Sequence, residues 1–292
     1  MTVTDTPTRL LKASARRSYD PEVDIDWSAV PDDERWWMQP ERTSLYGTDL
    51  WDGLTPQQQR ELVKHETASI VHMGWWFEVI LMQGLLREVY TGDPRSARTQ
   101  FLLTEVGDEC RHSTMFGRAM ETAGAPSYGP PPVVRRLAQR AGWVLKGPSL
   151  YAGALLVEET LDRWQRDSMT DERLQPLTRM VNRIHVTEEA RHIKFAREGV
   201  VHRMQDASWL ERFLVRNLNG LGGPVLRRSL THRGIYHRAG LDVDRAYREA
   251  QASSHHREMA AVGFASLAAF LEENGLMGRI GRELWRRNGF LP

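Results

Sequence analysis

Two pentapeptides in this chain are near copies. Asp108-Glu109-Cys110-Arg111-His112 and Glu188-Glu189-Ala190-Arg191-His192 both read acid, Glu, any, Arg, His. A Glu and a His three apart lie on one face of a helix. A lone Glu also stands 31 residues upstream of each motif Glu: Glu78 before Glu109, and Glu158 before Glu189. One such string alone reads as a solvated helix face with i,i+3 charge pairs. The doubled set constrains the fold far more. It offers a carboxylate from each of two helices and a Glu-x-x-His from each of two others, the donor set that two metal ions require in the core of a four-helix bundle.

Helix punctuation surrounds these residues and strand-like alternation is scarce, so the chain reads as all-α. Thr55-Pro56-Gln57-Gln58 puts Thr at an N-cap, Pro at N1 and Gln at N3. The first core helix then runs to about Tyr90. Gly92-Asp93-Pro94 closes it and opens the second, with Asp93 as cap; the second carries Glu109 and ends near Gly124. Glu78 lies 14 residues before Gly92, and Glu109 lies 15 after Pro94. At about 1.5 Å per residue both legs are roughly 21–23 Å long, so the two carboxylates return to one height. Gly124 to Pro132 is a Gly/Pro-rich crossover, a shorter helix follows over about 133–146, and Gly147-Pro148 breaks it. The third core helix, about 149–168, carries Glu158; a turn lies within 168–176; the fourth carries Glu189 and reaches about Met204. The midpoint between Glu158 and Glu189 falls in that turn. The expected architecture is a ferritin-like four-helix bundle with a long crossover between helices 2 and 3 and extra C-terminal helices. Residues 205–292 supply those helices, interrupted at Gly220–Pro224 and near Gly240. Residues 1–54, with Pro21, Pro31 and Pro40, read as irregular. No composition break demands a second domain, so 1–292 reads as one domain with 55–204 as its core.

Helical phase agrees with this ligand set. Val71, Gly74, Trp75, Met82 and Leu85 share the face of Glu78; Tyr151, Ala154, Leu155 and Leu161 share that of Glu158. A carboxylate in an apolar stripe is costly to bury without a partner. Glu66 is the rival to Glu78 and would break the equal-height argument. Glu159 is the rival to Glu158, and the 31-residue symmetry favours Glu158. His185 stands four residues before Glu189 and seven before His192, on the same face. A lone inward His is more often a satisfied core residue, but here its neighbours favour metal binding. Metal-bound imidazoles usually donate their other N–H to a carboxylate. Asp108 and Glu188 are candidates for those acceptors, each serving the His of the opposite motif, with Arg111 and Arg191 balancing their charge. Ordinary surface pairing is the plain alternative for all four.

Four core carboxylates would repel, and two divalent cations remove that repulsion. Carboxylates with a few imidazoles suit Fe or Mn, whereas structural zinc prefers thiolates. The net charge of +1 argues against a nucleic-acid-binding surface, and the Arg-rich stretch 207–238 reads as a solvated face. The polar N-terminus lacks the apolar core of a signal peptide, and no run of 18 uninterrupted apolar residues exists, so no membrane partner is expected. A single cysteine excludes an intramolecular disulfide and suits a reducing cytoplasm. Cys110 reads as a small buried hydrophobe. His65 and His72 read as neighbours of the site or as surface residues. His255-His256 point apart and make a poor metal pair. The ten tryptophans read as core.

The doubled Glu-x-x-His set with the added His185 resembles the p-aminobenzoate N-oxygenase (AurF-type) di-iron enzymes, from about Ser18-Tyr19-Asp20-Pro21 to about Gly199. Carried over residue by residue, the resemblance implies Glu78, Glu109, His112, Glu158, His185, Glu189 and His192 as ligands of two Fe ions, with an Fe/Mn pair also allowed. It implies O2 activation through a peroxo-type diferric intermediate and oxidation of an arylamine nitrogen towards hydroxylamine and nitro. It further implies a small-molecule amine and O2 as substrates, an external electron donor and a homodimer. No residue identifies the amine. A carbon hydroxylase or desaturase on the same metal core is the enzymatic rival, and an iron-storage bundle the non-enzymatic one. More than 80 residues lie beyond the last motif, which fits a closed pocket better than a storage shell.

Overall fold

In the computed structural model, residues 5–291 are described apart from 131, 133–134, 137–138 and 141–144, with backbone alone at 218 and 219. Twelve α-helices and no multi-residue strand occur among the described residues. Four long ones form the centre: α4 (Pro56–Tyr90), α5 (Ala97–Thr122), α6 (Pro148–Ser168) and α7 (Pro176–Gln205). α4 packs on α5 and α6 on α7, as two antiparallel hairpins. The hairpins meet along α5–α7 and α4–α6, giving an all-α, ferritin-like bundle with a crossover between α5 and α6. The helix expected over 133–146 lies largely outside the described residues.

Local chemistry accounts for the helix ends. Thr55 and Gln58 form a reciprocal capping box: Gln58 N donates to Thr55 Oγ1 at 3.3 Å, and Thr55 N donates to Gln58 Oε1 at 3.0 Å. At the next start the cap differs from the Asp93 expected. Asp93 Oδ1 accepts instead from Arg95 N at 2.9 Å in a tight turn, and Ser96 Oγ caps α5 by accepting from Thr99 N at 3.2 Å. Gly92, where the hairpin turns, lies against the Thr99 hydroxyl, leaving no room for a Cβ.

Residues 1–54 are less irregular than their prolines suggest. α1 (Thr6–Arg16) begins at an Asp5 cap with Pro in its first turn, where a missing N–H costs nothing. It packs on α5 and α7 with Leu10 buried. One-turn helices α2 (Pro21–Asp24) and α3 (Asp49–Asp52) follow. Trp36 N donates to Arg173 O at 3.0 Å and Gln175 N to Trp36 O at 2.8 Å, tying this segment to the α6–α7 turn.

The C-terminal part contains α8 (Trp209–Leu230), α9 (Gly234–Arg238), α10 (Val243–Ala252), α11 (Ser254–Glu273) and α12 (Arg279–Arg287). α8 and α11 cover α6, α12 packs on α8, and α9 packs on α4. The break expected at Gly220–Pro224 does not occur; α8 runs through it with Pro224 inside. The glycines serve close approach instead. Gly220 meets Gly281 of α12 backbone to backbone, and Gly222 lies under Leu156. Among the described residues α4 alone is long and apolar enough to cross a membrane by length and composition. In this fold it pairs with α5, α6, α8 and α9 and carries the buried Glu78.

Candidate metal centre

The hairpins bring the motif residues to one level. Glu78 (α4), Glu109 and His112 (α5), Glu158 (α6) and His185, Glu189 and His192 (α7) are all buried, none more than 5% exposed. Ligand atoms of Glu78, His112 and His185 fall within 4.8 Å of one another, as do those of Glu109, His112 and Glu189. Glu109 and Glu189 each straddle both motif imidazoles. Glu109 places Oε2 3.2 Å from Nδ1 of His112 and Oε1 3.0 Å from Nδ1 of His192. Glu189 places Oε1 3.1 Å from Nδ1 of His112 and Oε2 3.2 Å from Nδ1 of His192. Two carboxylates so placed could be shared between a pair of cations.

The far side of each imidazole is held from the opposite hairpin. Nε2 of His112 lies 2.9 Å from Glu188 Oε2, and Nε2 of His192 lies 3.2 Å from Asp108 Oδ2. With those carboxylates ionised, Nε2 carries the proton in each ring and the Nδ1 lone pair faces the cluster. Burial opposes ionisation of Asp108 and Glu188. The hydrogen bonds and charges of His192 and His112, together with the Arg111 charge at Asp108 and the Tyr19 N–H at Glu188, offset it and hold both carboxyls below their ordinary range. Arg111 pairs with Asp108, and Arg191 Nη2 lies 3.5 Å from Asp108 and 3.7 Å from Glu188. The N-terminal segment closes over this layer: Tyr19 N donates to Glu188 Oε1 at 3.1 Å, and Arg191 donates to Arg17 O at 3.2 Å. His185 is held differently, with Nδ1 2.9 Å from Gln165 Oε1 and Nε2 3.3 Å from Glu78 Oε1.

The rival carboxylates are engaged elsewhere. Glu159 accepts from Arg197 Nε at 2.9 Å and from Ser266 Oγ at 2.8 Å. Glu66 accepts from Ser44 N and Oγ and from Thr231 Oγ1. His65 bonds Tyr128, and His72 bonds Ser127 and Tyr128, so neither touches the cluster. Cys110, expected to be buried, is exposed, its Sγ 3.5 Å from Met82 Sδ. One residue along α5 from Glu109, it turns out of the ligand face. Trp209 is 77% exposed and so is no core residue.

Sequence reasoning missed Glu105. It is 2% exposed, and its carboxylate groups with those of Glu109 and the His192 ring within 4.8 Å. Burial raises its pKa to about 8. The constant spacing of the two motifs could have found it, since Glu105 stands four residues before Glu109 as His185 does before Glu189.

The donor set fits two cations. Glu158 has both carboxylate oxygens buried without a hydrogen-bond partner, and Glu105 has one. Burial, then the charges of Glu189 and Glu109, pushes Glu158 well up; burial with Glu189 and Glu78 does the same to Glu109. Burial would push Glu189 up too, but the charges of His192 and His185 hold it well down. Buried carboxyls that repel one another and lack donors are what divalent metal ions stabilise. Absence of a thiolate, with oxygen donors in excess, favours Fe or Mn over zinc.

A cavity of about 330 Å³ reaches the cluster from one side. Its wall is mostly apolar, with Phe77, Leu81, Phe116 and Leu161, and it touches Glu78, Glu158 and His185. The cations on the wall are committed: Arg42 to Asp167 at 2.8 Å and Lys64 to Glu61 at 2.8 Å.

The p-aminobenzoate N-oxygenase AurF family model matches residues 2–275. The chain belongs to the AurF family. AurF-family proteins are helical di-iron proteins, and the all-helical fold of this chain and its buried Glu/His clusters, which could hold metal, agree with that membership. Uncharacterized proteins of Mycobacterium bovis and Mycobacterium tuberculosis are 28% identical to the chain, over 95% of it and 84% of their own length. The AurF family match therefore carries more functional content than these relatives do.

Proposed function

We propose that this chain is a non-haem di-iron oxygenase that oxidises the nitrogen of an arylamine or related amine towards hydroxylamine and nitro. Glu78, His112 and His185 would hold one metal, Glu158 and His192 the other, with Glu109 and Glu189 shared. Two iron ions, or an Fe/Mn pair, would supply O2 activation with electrons from an external donor. The chain's own contribution is positional. Asp108 and Glu188 keep Nε2 of each motif imidazole protonated and the rings fixed. Gln165 orients His185. The apolar cavity excludes water from the side on which a substrate would arrive.

The observation that carries this reading is the cavity ending on Glu78, Glu158 and His185. It is the size of a small-ligand pocket, and an aromatic ring can pack beside Phe116, whose ring centroid is 5.0 Å from that of His185. The pairing of Arg42 and Lys64 favours an uncharged amine over an anionic one, and also supports the second reading, oxidation of an apolar carbon chain. The test is single turnover: protein reduced with iron under anaerobic conditions, then O2 with 4-aminobenzoate, an uncharged arylamine or an alkyl substrate. Hydroxylamine or nitro product supports N-oxygenation. Alkyl oxidation with both amines untouched overturns it in favour of the carbon oxidase. A cytoplasmic homodimer belongs to the same reading; light scattering giving a large shell would favour storage instead.

A further inference from the structure

The arrangement that puts His185 beside the cluster is repeated on the other hairpin with a different residue. Glu105 stands four residues before Glu109 and seven before His112, as His185 stands four before Glu189 and seven before His192. The pairs 78 and 158, 105 and 185, 109 and 189, and 112 and 192 are each 80 apart, so one operation relates the two halves. The structure follows it in the imidazole pairing. His185 groups with Glu78 and His112, and Glu105 groups with His192, each within 4.8 Å; the third member of the second group is Glu109, where strict symmetry would put Glu158.

Among the described residues no hydrogen-bond donor meets the buried end of the Glu105 carboxylate, its Oε2. The nearby guanidinium groups are engaged with other acids: Arg98 with Glu88 at 2.9 Å, Arg111 with Asp108, and Arg191 with Asp108 and Glu188. An unpaired carboxylate in a core normally gives way to an apolar residue unless something cationic meets it. Unlike His185, Glu105 does not line the cavity.

We infer that Glu105 is an eighth protein ligand, completing the coordination of the metal held by Glu158 and His192 as His185 does for the metal held by Glu78 and His112. The inference rests on the two-metal reading above. It makes the site quasi-symmetric in donor number and asymmetric in donor charge, with the Glu105 carboxylate away from the cavity wall and the His185 imidazole on it.

The test is metal binding without turnover. Co²⁺ is titrated anaerobically into the full-length wild type, Glu105→Gln, Glu105→Leu and His185→Ala, with metal per chain and the visible spectrum of bound cobalt recorded. Wild type should take up two ions. Each Glu105 variant should bind one ion as the wild type does and the other at least about tenfold more weakly, with the cobalt bands changed. His185→Ala should alter a different half of the spectrum. Glu105→Leu guards against residual coordination by the Gln amide, and circular dichroism confirms that each variant folds. Two ions bound by both Glu105 variants with wild-type affinity and spectrum would overturn the eighth ligand while leaving the two-metal site intact. A wild type that binds no metal would remove both.

Discussion

The two halves of the candidate centre share a plan and differ in what surrounds them. On one side Glu78 and His185 border an apolar cavity. On the other, Glu158 also reaches the cavity, while Glu105 and His192 lie off its wall, His192 beside Phe101 at 6.4 Å between ring centroids. Asp108 and Glu188 sit in equivalent positions, yet Glu188 alone also receives the backbone N–H of Tyr19. A repeated ligand frame would offer closely similar donor sets twice. The unrepeated parts, the cavity and the N-terminal strap, decide where a substrate can come in. Symmetry is therefore informative about the metals and asymmetry about the reaction.

The largest effect should come from abolishing the parts common to both halves. Glu109→Ala and Glu189→Ala each remove a carboxylate that straddles both imidazoles. Retained metal should fall from about two ions to less than about one per chain, measured by elemental analysis after dialysis. Loss of a single ion with the other unchanged would show that the carboxylate serves one half only.

Next comes the holding layer. Asp108→Asn and Glu188→Gln should each weaken metal binding about 10–100-fold while leaving the helical content unchanged. Asp108→Asn should act on the His192 half and Glu188→Gln on the His112 half, read from separate changes in the cobalt spectrum. Identical changes would break the assignment of each acid to one ring.

A smaller and one-sided effect is expected at the cavity. Ala154→Phe places a ring in the space beside Glu158, whereas both metals should stay bound. Turnover of an arylamine should fall with KM raised about tenfold or more, at unchanged metal content. Unaltered kinetics would mean that the substrate enters elsewhere.

The smallest effect concerns a buried carboxylate on α4 that belongs to neither half. Burial raises the pKa of Glu66 to about 7, although Ser44 and Thr231 donate to it. A carboxyl whose folded pKa is raised binds more protons folded than unfolded. Its stabilising protonated state is fully present below the unfolded value and is lost as pH rises through 7. Against an ordinary 4.5 the loss amounts to about 3 kcal/mol by pH 8. Urea unfolding of Glu66→Gln at pH 5 and pH 8 should show that slope removed. An unchanged slope would place it on the metal cluster instead.

Much of this was legible in the sequence because the decisive residues recur at helical spacing. The pentapeptides, the matched upstream glutamates and the Gly92 turn suffice to predict two hairpins that bring carboxylates to one height. What escaped was set by packing partners rather than by local pattern. Gly220 to Pro224 looked like a break because Gly and Pro usually are one, but here the glycines admit Gly281 and Leu156. α1 was hidden because its helical face is short and mostly polar, anchored by Leu10 on a surface made by α5 and α7. Glu105 has no distinguishing local pattern of its own, and its burial comes from the packing of the bundle. The cavity, assembled from α4, α5, α6 and α7, has no sequence signature at all.

The account stands on two metal ions held between the hairpins. Anomalous diffraction at the iron edge from crystals of the iron-loaded full-length chain tests it most directly. Two peaks, one among Glu78, His112 and His185 and one among Glu158, His192 and Glu105, with Glu109 and Glu189 between them, is the predicted result. No peak in the bundle, or iron bound only at the surface, would contradict it.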